Sequence, residues 1–191
     1  MQGVKIIYPQ ILKSAIIDFW KKNKQHVVLS VYGDSMAPLI RKGDRVSIFF
    51  CNINDIKIGD IIAFTNNPNQ LVIHRAIAIH SNNDGYQICQ KGDNSPAWSW
   101  ISHLQVFGKV QSIIKHNRVI DCNHKILKII QRWISILSII NITLCDKYNT
   151  PLLTTKIKKN NFITVCLAGF NRLTQLIIYW IIRITIIAGS N

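Results

Sequence analysis

Ser35 is the residue whose surroundings best suit covalent chemistry. It lies in Val31-Tyr32-Gly33-Asp34-Ser35-Met36-Ala37-Pro38. A β-rich run enters this segment, Gly33 permits an unusual backbone angle, and Pro38 disfavours helix at Ala37. A serine held in a tight turn at a strand end exposes its hydroxyl and leaves its amide free for an oxyanion. Taken alone, Gly-Asp-Ser-Met is also an ordinary turn. A serine hydroxyl is a poor nucleophile near neutral pH and needs an adjacent base. Histidine, with an ordinary pKa near 6.5, needs little tuning for that task. His74 sits in the apolar run Leu71–Ile79, while His80, His103, His116 and His124 show no ligand spacing.

The elements that would position these residues follow from the hydrophobic pattern. Residues 10–24 place Ile11, Leu12, Ala15, Ile16, Phe19 and Trp20 at helical spacing and end in lysines. From residue 26 onwards, short β-rich runs alternate with turn residues. Strands are expected at His26–Tyr32, Arg45–Phe50, Asp60–Thr65, Leu71–Ile79, Tyr86–Gln90 and Gln105–Ile114. Asp84-Gly85 is a hairpin turn signal. Asp44 and Asp60, each after a glycine, read as structural turn residues.

Beyond Asp121 the composition changes. Residues 125–145 and 162–188 are strongly apolar and helix-like, interrupted by Lys128, Gln131, Arg132, Asn171, Arg172 and Arg183. Three arrangements are open to these stretches: interfacial helices on a membrane, spanning helices, or packing on the β domain or a partner. A charge at mid-bilayer costs about 2.5–3.5 kcal/mol, which weighs against spanning. Trp98, Trp100, Trp133 and Trp180 suit interfacial anchors or core packing equally. The domain division is therefore 1–25, an amphipathic helix; 26–121, a mainly β, antiparallel catalytic domain; and 122–191, a basic, apolar helical region.

Composition narrows the class. A formal charge of +14 suits an anionic surface, lipid or nucleic acid. No nucleic-acid-binding motif accompanies it, and the 30 residues ahead of the Val31–Pro38 segment are too few for a helix-turn-helix. The five cysteines form no CxxC pair, so neither a zinc ribbon nor a thioredoxin-like redox site is suggested; no metal and no cofactor are expected. The first residues lack the apolar stretch of a signal peptide, and no segment before residue 125 is long enough to span a bilayer.

Several motifs stand in a specific order. Gly33 to Pro38 is followed by Gly43-Asp44, then Ile58-Gly59-Asp60-Ile61-Ile62-Ala63-Phe64. Val72-Ile73-His74-Arg75-Ala76-Ile77 and Gln90-Lys91-Gly92-Asp93-Asn94 complete the set. This order resembles the type I signal peptidases and their relatives, the self-cleaving SOS and phage repressors, over about residues 28–115. The segment His74-Arg75-Ala76 resembles the histidine type found in the endoplasmic reticulum and archaea. The resemblance implies an antiparallel β peptidase core, Ser35 as nucleophile and His74 as general base.

By the same resemblance Asp93 is the third candidate, either orienting His74 or holding the active-site loop. The histidine-type family carries another aspartate beyond this turn. Here that region reads Ser95-Pro96-Ala97-Trp98-Ser99-Trp100, without an acid. Asp93 alone, a Ser-His dyad, or a catalytically degenerate peptide-binding module are the three outcomes. The implied activity is removal of a signal or leader segment from a peptide or preprotein, with small residues near the cut and membrane association through the C-terminal stretches. Signal peptidases generally carry a transmembrane anchor before the serine, and none is expected here.

Overall fold

The computed structural model describes residues 4–5, 19, 22–23, 26–67, 70–82, 85–95, 97–116, 118–147, 176 and 180. Nine antiparallel strands form one sheet: β1 Val4–Lys5, β2 His26–Ser30, β3 Arg45–Phe50, β4 Ile61–Asn67, β5 Gln70–Asn82, β6 Gly85–Lys91, β7 Trp98–Ser102, β8 Val106–Lys115 and β9 Arg118–Asp121. Their order is β2-β3-β8-β4-β5-β6-β7, with β1 beside β5 and β9 beside β8. One long helix, α1 (Lys125–Lys147), follows. The expected mainly antiparallel β domain is present. The expected N-terminal helix and the second apolar stretch lie outside the described residues, except for helical Phe19, Lys22, Leu176 and Trp180.

Side chains alternate across the sheet, and this alternation builds the two larger of three buried apolar clusters among the described residues. In β4, Ile61 and Ala63 join Val46, Ile48 and Ile113 on one side, while Ile62 and Phe64 join Ala76, Ile88 and Val106 on the other. Burial on both faces explains why Ile61–Phe64, the first four residues of β4, read as an unbroken apolar run. The β5–β6 hairpin closes on the Asn82–Gly85 pair, so Gly85, at φ +112°, opens β6 instead of lying inside the two-residue turn that Asp84-Gly85 signals. Strand β2 stops at Ser30, two residues earlier than expected. Val31 instead exchanges backbone bonds with the Lys42–Asp44 turn, donating to the Asp44 carbonyl and accepting from the Gly43 amide.

Helix α1 lays one face on the sheet. Leu127, Ile134 and Ile142 are buried, and Ile134 belongs to the main core. Gln131 turns inward and donates to the Cys122 carbonyl, and Ser135 donates to the Gln131 carbonyl. These polar residues interrupt the apolar pattern yet satisfy their hydrogen bonds inside. At Gly59, whose φ is +102°, a Cβ would lie 3.1 Å from the backbone nitrogen of Arg132, so only glycine lets this turn sit against the helix. Asp44 and Asp60 are turn residues as expected. Asp44 accepts from the Arg41 amide and Lys115, and Asp60 from the Lys57 amide and Lys109.

Candidate active site

Ser35 opens the turn Ser35–Leu39, which contains a cis peptide between Ala37 and Pro38. Three buried residues, Met36, Leu39 and Ile40, fasten this turn to the main core. Ser35 itself stays half-exposed. A second segment, Gly92–Asn94, lies against it: the Asn94 amide donates to the Ser35 carbonyl at 2.7 Å, and the Asn94 side chain donates to the Asp34 carbonyl. No room for a side chain exists at Gly92. A Cβ there would lie 2.7 Å from the Ser35 carbonyl oxygen and 3.0 Å from His74 Nε2.

His74 projects from β5 and brings Nε2 to 3.0 Å from Ser35 Oγ. That is hydrogen-bond reach for proton transfer. The imidazole is buried, and Phe64 lies beside it with ring centroids 6.0 Å apart. Burial lowers the His74 pKa from its ordinary value; the bond to Gln90 and the charge of Asp93 oppose this, and Lys91 adds to it. A lowered pKa keeps the ring neutral at pH 7, the state a general base requires.

The third position is held by Gln90. Its Oε1 lies 2.5 Å from His74 Nδ1, and its Nε2 donates to Ser99 Oγ at 2.7 Å. With the amide nitrogen engaged by Ser99, the amide oxygen faces Nδ1 and accepts its proton. Nε2 is thereby left as the lone-pair nitrogen facing Ser35. The amide thus fixes the tautomer as a carboxylate would, but supplies no charge to the imidazolium.

Asp93 is placed elsewhere. Its carboxylate takes a two-pronged bond from Arg75, Nε to Oδ1 at 2.8 Å and Nη2 to Oδ2 at 2.6 Å. Arg75 is completely buried, and its Nη1 donates to the Gly59 carbonyl. Of the two roles open to Asp93, this geometry fits holding the loop, and the position at Nδ1 belongs to Gln90. Lys91, also buried, donates to the Gly92 carbonyl; burial lowers its pKa, against the opposing charge of Asp93.

Strand register explains the division. Ala76 pairs with Gln90 and Arg75 with Lys91, so Gln90 shares the His74 face, while Lys91 shares the Arg75 face. Gln90 pairs in turn with Ser99 across β7. Counted from Asn82–Gly85 without interruption, His74 would lie across from Asp93. A bulge between Ala76 and Ala78 shifts the register by one residue and exchanges their faces. Gln90 was visible within Gln90-Lys91-Gly92-Asp93-Asn94, but no local signal assigned it a role. Strand β7, which supplies Ser99, is not among the strands expected from the sequence.

The amide of Ser35 makes no backbone hydrogen bond among the described residues, so it can donate to an oxyanion. Cys51, Cys89 and Cys122 are buried and in no disulfide, with the Cys89 and Cys122 thiols pushed up by burial to about 11 and about 12. A comparison with curated proteins yields no match. Residues 7–99, the stretch that carries Ser35, His74, Gln90 and Asp93, match the model of the Peptidase S24-like family, which supports a serine-type peptidase or a related function.

Proposed function

We propose that this protein is a serine endopeptidase that removes a signal or leader segment from a peptide or preprotein. Ser35 Oγ attacks the scissile carbonyl, and His74 Nε2 accepts its proton. The C–N bond then breaks as His74 returns that proton to the leaving amine. Water, deprotonated by the same nitrogen, hydrolyses the acyl ester and frees Ser35. Gln90 holds the ring, and the Ser35 amide donates to the oxyanion. The observation that carries the reading is the 3.0 Å approach of Ser35 Oγ to a neutral imidazole whose other nitrogen is already held.

A panel of signal and leader peptides is the test. Wild type cleaves at least one, and Ser35→Ala and His74→Ala each lose most of that activity. A neutral glutamine where a triad has a carboxylate also favours a second reading, a peptide-binding module of the same fold. That reading requires peptide binding without cleavage by wild type. Equal cleavage by wild type and both variants refutes the catalytic assignment.

A further inference from the structure

Helix α1 has a second face that packs on nothing described. Ile126, Ile129, Trp133, Ile136 and Ile140 recur at intervals of three and four residues, so they form one continuous stripe. All are exposed, Ile129 and Trp133 at 59% and 60%. The stripe lies opposite the buried row Leu127, Ile134 and Ile142. Helical geometry puts the exposed Lys125, Lys128 and Arg132 along one edge of it. The turn at Gly59, which touches the backbone of Arg132, adds exposed Lys57 and Ile58 on that side. No acidic residue occurs between Lys125 and Cys145.

We propose that this stripe is a docking face for an anionic lipid surface, on which α1 lies flat while its other face keeps the β domain. An apolar strip with a basic edge matches an interface of acyl chains beneath negative headgroups. By length and composition Lys125–Thr143 could cross a bilayer, but a third of it is buried within the protein, and spanning would strip that packing away. The charge pattern argues against the chain's own remaining residues as the cover. Residues 148–191 contain Lys156, Lys158, Lys159, Arg172 and Arg183 and no acid, so they would set like charge beside the basic edge. A second copy brings the same +14 charge. The proposal is independent of the chemistry at Ser35.

The experiment is co-sedimentation of the full chain with phosphatidylcholine vesicles and with vesicles that also contain phosphatidylglycerol. Wild type pellets with the anionic vesicles and is released in part by high salt. The pair Ile129→Ser and Trp133→Ser weakens partitioning by about tenfold or more. Neutralising Lys125, Lys128 and Arg132 to Gln weakens it by roughly 100-fold, about fivefold per charge. Both sets are surface changes, so thermal stability and cleavage of a soluble peptide stay at wild-type levels. Wild-type binding by the Ser pair, equal binding to both vesicle types, or no binding overturns the proposal. So does a concentration-dependent dimer in solution that the Ser pair abolishes, which would make a second copy the occupant.

Discussion

Replacing Gln90 by Glu turns the amide that holds His74 into a carboxylate of the same length. In the proposed mechanism the ring gains a positive charge, when it takes the Ser35 proton, beside a neutral oxygen 2.5 Å away. Burial and Lys91 both disfavour that charge. A carboxylate at the same place attracts it. Opposite charges at hydrogen-bond distance move a pKa by about 1–3 units. At about 1.4 kcal/mol per unit, the imidazolium gains roughly 1.4–4 kcal/mol, an upper limit of about 10- to 1000-fold in rate. Two measurements follow this. NMR titration of the histidine rings, with His74→Gln to assign the resonance, reads the upward shift directly. The pH dependence of kcat/KM, on any peptide the panel identifies, shows its acidic limb moving up by the same amount and its plateau rising. If the His74 resonance titrates unchanged in the Glu variant, Gln90 is not the partner of Nδ1 and the reasoning fails.

Further outcomes follow from the same geometry. The acidic limb of wild-type kcat/KM lies below pH 6.5, because burial lowers the His74 pKa. The sign for stability is the reverse of a paired histidine: below pH 6.5 the unfolded chain takes the proton first, so stability falls as pH drops towards the folded-state pKa, then levels off. Urea unfolding at a series of pH values, with His74→Gln as control, measures that slope. Gly92→Ala drives a methyl group against Ser35 and His74; a displacement near 1 Å costs about 100-fold in kcat/KM, read by peptide cleavage with circular dichroism confirming the fold. Arg75→Met removes the two charged bonds from Arg75 to the buried Asp93 carboxylate and destabilises by about 3–5 kcal/mol, a fall in Tm of roughly 6–20 °C, whereas Arg75→Met with Asp93→Leu recovers most of it in a calorimetric scan.

The strands that position the site were largely legible, because alternation and turn residues are local signals. Arg45–Phe50 is found as expected, and the other five expected strands differ by one to three residues at their ends. Ser35 was legible from its turn, and His74 from the order of motifs. The role of Gln90 was not, since it depends on a single-residue bulge in β5 that no residue type announces. Counting along the hairpin from Gly85 leads to Asp93, and only the three-dimensional register reveals that the aspartate faces Arg75. Strands β7 and β9 were passed over for a related reason. Trp98–Ser102 is short and carries two serines, and Arg118–Asp121 has only four residues, so the pairing partner rather than the local pattern makes each a strand.

The anchoring of the Ser35 turn by Met36, Leu39 and Ile40 has a consequence for how this protein can be handled. These anchors are shared with the largest core, so the turn has no separate low-energy opening of its own. On the mechanism proposed above, a chain whose core has melted has no organised nucleophile, and a chain with a formed core has one. Acylation of Ser35 by a slow-turnover ester would therefore count folded molecules. Active-site titration of a preparation, set against its total protein, would report the native fraction without any spectroscopic probe, and a nascent chain would have no proteolytic activity until its core closes.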